Sequence, residues 1–325
     1  MERDVERKIV AILNILKDSK EPLGARIISN KLKKQGIELT ERAVRYHLLM
    51  MDEKNLTERI GRKGRIITPK GIKETNDALA SDKVGMVINK VDTLSYRTTF
   101  DIETKRGDIV LNLSFIPKEQ FAKALEVTKE VFTANLCVTD LVAKAEEGEY
   151  LSGIIVPQGK VAFGTVCAVT INGILLHHRI PVYSKFGGIL QVDDSDPLRF
   201  TEIISYEGTS LDPAEIFIKS RMTDVLGATR EEQGKILAGF REIPAVCLGK
   251  VQRILAQLEK IGIGGVIALG KPSQPVLEIP VSTGCVGMVV LGGLNPIAAL
   301  EEANIETENM AMSIMMEYSE LVRLP

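Results

Sequence analysis

The chain has 325 residues, of which 45% are hydrophobic and 26% charged, and its formal net charge is -2; this is the composition of a globular protein with room for two domains. It contains no run of about 18 apolar residues, which excludes an ordinary membrane-spanning helix, and its first residues, MERDVERKIV, lack a signal-peptide pattern, so we expect a cytoplasmic protein. The four cysteines are scattered without a C-x-x-C pair, which predicts free thiols, and three histidines are too few for a rich metal site, so none is expected.

Charge is distributed unevenly along the chain. Residues 1–80 contain 18 Lys and Arg against 12 Asp and Glu, a net charge of +6, whereas residues 81–325 have a net charge of -8. A small basic segment joined to a larger acidic one is typical of a protein whose basic part binds an anionic partner. We therefore expect two domains, residues 1–80 and residues 81–325.

Three segments of the basic part have the apolar spacing of short helices. Gly36 is expected to end the second helix, and Thr40 is a suitable N-cap for the third. The inward positions are predicted to be Val5, Ile9, Ile12, Leu13 and Leu16 in the first helix, Ile27, Ile28 and Leu32 in the second, and Val44, Leu48 and Met51 in the third.

Two β-prone runs, LTERI and RIITP, follow the third helix and flank the basic turn GRKG. Three short helices and a hairpin are the order of a winged helix-turn-helix, whose third helix enters the major groove of DNA. A solvated basic surface, or a winged helix that binds protein, is the alternative. The candidate DNA contacts are Thr40, Arg42, Arg45 and Tyr46 in the helix and Arg62, Lys63 and Arg65 in the hairpin.

The remaining residues alternate β-prone runs with a few helices, which predicts a mixed α/β domain of the α+β kind with much antiparallel sheet. Asn172-Gly173 is a strong hairpin signal. Strands are expected at Val84–Val91, Asp108–Phe115, Val161–Thr170, Ile174–His177, Gly188–Val192, Phe200–Ser205, Gly265–Leu269 and Val286–Leu291. Helices are expected at Pro117–Ala134, Glu231–Gly239, Leu248–Ile261 and Pro296–Ala303.

Two stretches of this domain are similar to each other. VPQGKVAFGTVCAVTING and IPVSTGCVGMVVLGGLNP share a pattern of proline, glycine and alternating valine. An internal duplication would place a cleft between two equivalent halves, a common site for a small ligand. Chance similarity between strands rich in glycine and valine is the alternative.

No catalytic motif is present in the sequence. The segment GATREEQGKI lacks the spacing and the hydroxyl of a phosphate-binding loop, and no nucleophile motif is visible, so we expect no enzyme. Cations and hydroxyls in glycine-rich segments suit a small dicarboxylate, although each of them can also be a surface residue or a loop cap. The candidate ligand residues are Thr209, Ser210, Arg221, Lys235, Arg241, Ser282 and Thr283.

The larger domain resembles the regulatory domain of the NrpR nitrogen-regulation repressors of methanogenic archaea. The resemblance rests on GKVAFGTVCAVTINGILL, IPVYSKFGGILQV, YEGTSLDP, GKILAGFREIPAV, LEKIGIGGVIALG and GGLNPIAALEEANI. It covers most of residues 84–305, and the preceding winged helix matches the N-terminal domain usual in that family. Some members have two regulatory domains, whereas this sequence has room for one.

This resemblance implies a repressor that binds inverted-repeat operators of nitrogen-fixation and ammonia-assimilation genes and is released by 2-oxoglutarate. It implies a dimer or tetramer, with a homologous NrpR-type protein or the transcription machinery as further partners, and neither a cofactor nor a membrane. The alternatives are a regulator that responds to a metal or another metabolite, a metabolic enzyme tethered to DNA, and a protein-interaction module.

Overall fold

The computed structural model describes residues 2–19, 21–77 and 85–324. The chain divides into two compact units, residues 1–84 and residues 85–325. The domain boundary predicted between residues 80 and 81 lies outside the described residues. Among the helices of the described ranges, none is both long and apolar enough to cross a membrane.

The N-terminal unit is a winged helix, as predicted. Its core is formed by the inner faces of the first three helices, and Val44, Leu48 and Met51 of the third are fully buried. Ile27, predicted to point inward, is instead 49% exposed. The elements are α1 (Glu2–Lys17), α2 (Ala25–Lys34), α3 (Glu41–Glu53), β1 (Thr57–Ile60), β2 (Gly64–Ile67) and α4 (Pro69–Asp77).

The hairpin of this unit is tied to the segment between α1 and α2. The N–H groups of Leu23 and Arg65 each donate to the other's carbonyl oxygen, at 2.9 and 3.0 Å. Gly64 allows this close approach, because it has a φ of +130° and a Cβ there would lie 2.3 Å from the carbonyl carbon of Leu23. The position of the wing is therefore fixed by backbone pairing as well as by the core.

The C-terminal unit is built on two five-stranded antiparallel sheets. Its helices are α5 (Met86–Arg97), α6 (Phe121–Thr133), α7 (Val169–His177), α8 (Pro213–Lys219), α9 (Val225–Arg230), α10 (Leu248–Lys260) and α11 (Asn295–Glu302). Its strands are β3 (Asp108–Pro117), β4 (Leu141–Ala145), β5 (Tyr150–Leu151), β6 (Ile154–Ile155), β7 (Lys160–Val166), β8 (Tyr183–Asp193), β9 (Asp196–Ser205), β10 (Gly234–Pro244), β11 (Val266–Leu269), β12 (Cys285–Leu291), β13 (Glu308–Glu317) and β14 (Val322–Arg323). The sheet orders are β13-β3-β7-β4-β14 and β11-β12-β10-β8-β9.

The order of elements confirms the internal duplication. The first repeat runs through β3, a 3-10 turn, α6, β4, β7, α7 and β8, and the second through β10, a 3-10 turn, α10, β11, β12, α11 and β13. The same hydrogen bonds recur in both repeats. Thr170 in the first turn of α7 exchanges two with the backbone of Val110, and Asn295 in α11 exchanges two with that of Leu237.

The two repeats exchange their last strands. β8 of the first repeat pairs with β10 of the second, for example at Gly187 and Gly239, and β13 of the second pairs with β3 of the first. The buried cores follow the same exchange, because α6 packs with α11 in one core, while α7 and α10 share the other. Neither repeat therefore completes its sheet or its core alone.

Most predicted elements of this unit are confirmed, with small shifts of their ends. The strand predicted at Val161–Thr170 ends at Val166, and the helix predicted from Pro117 begins at Phe121, after a 3-10 turn. The other confirmed elements are the strands at Asp108–Phe115, Gly188–Val192, Phe200–Ser205, Gly265–Leu269 and Val286–Leu291 and the helices at Leu248–Ile261 and Pro296–Ala303.

The strand and the hairpin predicted around Asn172-Gly173 are wrong, because Ile174–His177 belongs to α7. Residues 169–175 of this helix are all buried, so it shows no amphipathic period. Gly173 is needed for packing rather than for a turn, since a Cβ there would lie 2.3 Å from the Cβ of Thr98 at the end of α5. His177 and His178 accordingly lie at the end of a helix.

Two further predictions are wrong. The predicted strand Val84–Val91 overlaps α5, where the buried Val87, Val91 and Leu94 follow helical spacing despite their β-branched neighbours. The predicted helix Glu231–Gly239 overlaps β10, a central strand that is buried continuously from Ile236 to Ile243. A strand buried on both faces has no alternating pattern, so its sequence resembles that of a buried helix.

Candidate nucleic-acid interface and ligand cavity

One face of α3 is exposed along two turns. It carries Arg42, Arg45, Tyr46 and Leu49, which lie at the spacing of one helical stripe. Tyr46 is 62% exposed. Arg45 contacts the carboxylate of Glu41 one turn earlier, an exposed ion pair of a kind that is worth only about 0.3–0.5 kcal/mol and is easily replaced. The stripe therefore offers two cationic and two apolar side chains to a partner.

The other predicted residues of this helix have structural roles. The side chain of Thr40 accepts a hydrogen bond from the N–H of Ala43 at 3.2 Å, as expected for the N-cap. His47 is buried on the opposite side of the helix from the exposed stripe.

The tip of the hairpin presents two of its three predicted cations. Arg62 and Lys63 lie exposed in the turn between β1 and β2. Arg65 has a different partner, since its Nε donates to both oxygens of Asp52 at 2.8 and 3.0 Å and its side chain is only 14% exposed. The guanidinium of Arg65 therefore joins the hairpin to the end of α3 instead of extending toward solvent.

The C-terminal unit contains a cavity of about 60 Å³ where the two repeats meet. Residues from both repeats form its wall. For example, the cavity is lined by Asn112 of β3 and by Gly239 of β10, which occupy equivalent positions in the two repeats. The further lining residues are Val91, Cys167, Ala168, Val169, Ser184, Gly187, Gly188, Tyr206, Asp212, Ala214, Phe217, Leu237, Ala238, Arg241, Gly292, Gly293, Leu294, Ala311 and Met312.

Arg241 is the cationic group of this cavity. Its side chain projects from the middle of β10 and is only 3% exposed. Neither Nε nor Nη1 has a hydrogen-bond partner among the described residues. Burial lowers the pKa of this guanidinium, while the nearby Tyr206 and Cys167 oppose that effect. A buried cation with unused donors is costly unless an anion pairs with it.

Several polar groups surround this guanidinium. Burial raises the pKa of Tyr206, and its hydroxyl lies over the glycines that pair between β8 and β10. Burial also raises the pKa of the Cys167 thiol to about 11, so the thiol is neutral. The hydroxyl of Ser184 accepts from the amide of Asn172 at 2.9 Å, which leaves its own proton free to be donated.

A carboxyl group also lies in the wall. Asp212 caps α8 by accepting from the N–H groups of Ala214 and Glu215. Burial raises the pKa of Asp212 to about 6, the charge of Glu215 adds to the effect, and the two capping hydrogen bonds and Lys90 oppose it. The charge of this wall therefore changes slightly below neutral pH.

A strained bulge of β13 closes the cavity. Met312 has a φ of +51°, which is unusual for a residue other than glycine, and its N–H donates to the side chain of Asn112 at 3.0 Å. The neighbouring Ala311 is held by two more elements, because its N–H donates to Glu215 and its carbonyl accepts from Lys90 Nζ at 2.9 Å. The bulge thus connects the cavity to α5, which carries Lys90.

Of the predicted ligand residues, Arg241 alone lines the cavity. Ser282 is exposed, and its backbone N–H donates to the buried Glu242 at 2.8 Å. The hydroxyl of Thr209 makes a local turn with Leu211. The structure does not bring the remaining residues to the cavity, namely Ser210, Arg221, Lys235 and Thr283.

The sequence gives little indication of the cavity-lining residues that were not among the predicted ligand residues. Asp212 stands directly before Pro213, the pattern of a helix N-cap, and this could have been recognised. Tyr206, Ser184 and Asn112 lie in β-prone runs or loops without a motif, and they meet only through the strand exchange. Within the described ranges, no group of three His, Cys, Asp or Glu residues could hold a metal ion.

Comparison with known proteins gives matches for both units. A family model described as NrpR regulatory domains NRD1 and 2 matches residues 84–323. A model of the winged-helix domain of ribonuclease R matches residues 10–75. The chain is 40% identical over 318 residues to the global nitrogen regulator NrpRI of Methanosarcina mazei, a match that covers 98% of each chain.

Other relatives are longer. The chain is 33% identical to the global nitrogen regulator NrpR of Methanocaldococcus jannaschii, of which it spans 56%, and 31% identical to that of Methanococcus maripaludis, of which it spans 54%. A crystal structure of a nitrogen repressor-like protein from Methanococcus jannaschii matches with a TM-score of 0.63 and 32% identity. That match covers 73% of this chain and 97% of the other.

Proposed function

This chain belongs to the NrpR regulatory family, and from that membership we propose that it is a repressor of nitrogen-assimilation and nitrogen-fixation genes. It binds inverted-repeat operators as a symmetric dimer in the cytoplasm, and 2-oxoglutarate releases it from them. The two-fold symmetry of such a dimer would match that of the operator.

The observation that carries the DNA-binding part is the exposed basic stripe of α3 together with the cationic wing tip. Arg42 and Arg45 would enter the major groove with Tyr46, and Arg62 and Lys63 would neutralise phosphates beside it. Thr40 would support the helix as its N-cap. Because Arg65 is paired with Asp52, the proposal assigns it to the hairpin's own structure.

The buried guanidinium of Arg241 supports the effector part. Carboxylate oxygens of 2-oxoglutarate would accept from the unpaired Nε and Nη1 of Arg241, and the hydroxyl of Ser184 would donate a further hydrogen bond. A water needs roughly 10–15 Å³ on the same measure, so a cavity of about 60 Å³ accommodates part of a ligand with ten heavy atoms. Binding would then have to widen the cavity between the repeats.

Widening of the cavity gives a physical reason why 2-oxoglutarate would release the protein from DNA. A ligand shifts a conformational equilibrium only by its differential affinity for the two states, and a ligand too large for the closed cavity favours the open one. The bulge at Ala311 and Met312 lies in the wall, and Lys90 connects it to α5. This helix is the first described element of the C-terminal unit in the chain, and the proposal is that its displacement changes DNA binding by the winged helix.

The test is a binding titration with a duplex that this chain itself selects from a random-sequence pool. We expect tight, strongly salt-dependent binding that 2-oxoglutarate weakens and that glutarate, which lacks the keto group, weakens less. Affinity independent of salt concentration would contradict the DNA-binding part. Affinity unchanged by 2-oxoglutarate, alone and with an NrpR-type homologue, would contradict the effector part.

A further inference from the structure

The exposed stripe of α3 contains an apolar side chain that neither the core nor the cationic contacts explain. Leu49 is 56% exposed. The inner face of the helix is already complete without it, because Val44, Leu48 and Met51 are fully buried. On a helix face that only meets water, polar residues are expected. An apolar position at the end of a stripe that carries two arginines is therefore informative about the partner.

The charges around Leu49 identify the class of that partner. Arg42 and Arg45 lie on the same stripe, Tyr46 precedes Leu49 by one turn, and the wing tip adds further cations. The 1–80 segment as a whole has a net charge of +6. A cationic surface that also carries an exposed apolar side chain is complementary to the major groove, whose walls are phosphates and whose floor contains one apolar group, the 5-methyl of thymine.

The helix geometry places this apolar contact relative to the cationic one. Arg42 and Leu49 are seven residues apart, which corresponds to about 10 Å along an α-helix. Since base pairs are spaced at about 3.4 Å, the two side chains would face positions about three base pairs apart. Both would be within reach of one half-site.

We propose that Leu49 is a specificity-determining residue that contacts the 5-methyl group of a thymine in each operator half-site, about three base pairs from the base that Arg42 faces. The proposal rests on the DNA-binding function proposed above. It adds a discrimination that cations cannot provide, because arginine recognises guanine edges and phosphates and gains nothing from a methyl group.

The experiment uses the full chain and its selected duplex, in which each pair of symmetric thymines is replaced in turn by deoxyuridine, which lacks only the methyl group. A methyl group buried on binding contributes about 0.8 kcal/mol, or about fourfold in affinity per half-site. We expect one pair of replacements to weaken binding by the wild type about tenfold or more. Leu49→Ala should bind the thymine and deoxyuridine duplexes equally at that position.

Two matched variants accompany this measurement. Leu49→Met keeps an apolar side chain and should keep most of the deoxyuridine penalty, which covers the case of a poorly folded alanine variant. Ile72→Ala changes a residue of α4 that is 38% exposed and should keep the full penalty. Neither Leu49 variant should change the slope of affinity against salt concentration, because leucine neutralises no phosphate.

Three results would overturn the proposal. The first is a wild type whose affinity does not change on deoxyuridine replacement at any position. The second is a Leu49→Ala variant that loses as much affinity on replacement as the wild type does. In both cases, salt-dependent binding of the selected duplex by the wild type would leave the DNA-binding function intact. The third result, a wild type that binds no duplex from the pool, would overturn the proposed function as well.

Discussion

A single side chain, Arg241, determines what the cavity of the C-terminal unit can hold. Its guanidinium is removed from water, and its Nε and Nη1 have no hydrogen-bond partner among the described residues, so its burial carries a cost that those residues do not compensate. Ser114 occupies the matching position of the first repeat, since Ser114 pairs with Phe163 in β7 as Arg241 pairs with Met288 in β12. The cation is therefore a specific feature of the second repeat and not a requirement of the fold.

Replacing Arg241 with methionine should separate ligand binding from stability. Because Arg241→Met removes a buried unpaired charge at similar volume, the free energy of unfolding should stay unchanged or rise by about 1–4 kcal/mol. The increase in melting temperature caused by 2-oxoglutarate should disappear, as measured by thermal unfolding with and without the ligand. Arg221→Met, at an exposed arginine outside the cavity, is the control and should keep that increase.

Asp212 should make 2-oxoglutarate binding depend on pH. Its pKa is raised to about 6 by burial first and by Glu215 second, so it is mostly ionised at about pH 7.5 and mostly protonated at about pH 5.5. Protonation removes a negative charge from the wall, and the affinity for the dianion should therefore rise as the pH falls. Calorimetric titration at the two pH values measures the effect, which Asp212→Asn should abolish.

The same shift has a defined sign for stability. The folded pKa of Asp212 exceeds its unfolded value of 3.8, so the folded state binds more protons between these values. The free energy of unfolding should decrease as the pH rises through this window and level off above it. If the 2-oxoglutarate affinity and the free energy of unfolding of Asp212→Asn changed with pH in parallel with those of the wild type, both expectations would be contradicted.

At the level of elements, the sequence predicted the helices and strands that have a hydrophobic period or a capping residue. α3 has both, with Thr40 before it and Val44, Leu48 and Met51 along its inner face. α7 and β10 have neither, because almost every side chain in them is buried and local pattern then carries no information about the element. The duplication predicted a cleft between the repeats, but most residues of the cavity wall could not be predicted, since the wall is assembled by strands exchanged between distant segments.

The wing provides a prediction that separates contact from structure. Arg62→Ala with Lys63→Ala removes two exposed cations, so affinity should fall for all duplexes, and the slope of log affinity against log salt should become shallower by about two. Arg65→Ala leaves Asp52 without its guanidinium and should instead lower the free energy of unfolding by about 1–3 kcal/mol. Binding titrations at several salt concentrations and denaturant unfolding measure the two effects. If Arg65→Ala changed the slope and spared stability, the assignment of Arg65 would be wrong.

At the scale of the whole molecule, the proposed function requires 2-oxoglutarate bound in the C-terminal unit to change DNA binding by the winged helix. The described contacts offer one route, from the bulge at Ala311 and Met312 through Lys90 to α5.

Lys90→Met tests this route. The variant should bind 2-oxoglutarate and the selected duplex with nearly wild-type affinities when each is measured alone. The coupling free energy between 2-oxoglutarate binding and DNA binding should decrease by about 1 kcal/mol or more. The factor by which 2-oxoglutarate weakens DNA binding should therefore be smaller. Titrations of DNA with and without saturating 2-oxoglutarate give this factor. Lys123→Met, at an exposed lysine of α6 whose Nζ lies 3.4 Å from a carbonyl oxygen, should leave it unchanged.

The exchange of β8 and β13 between the repeats also bears on the history of the domain. A single ancestral copy of the repeat could have completed its sheet only by receiving a strand from a second copy, so it would have existed as an obligate dimer. Fusion of two such copies would join that dimer into one polypeptide and allow its halves to diverge. Because Arg241 of the second repeat corresponds to Ser114 of the first, the two halves share an architecture but differ in chemistry, and we expect the chain to bind one anion per polypeptide rather than two.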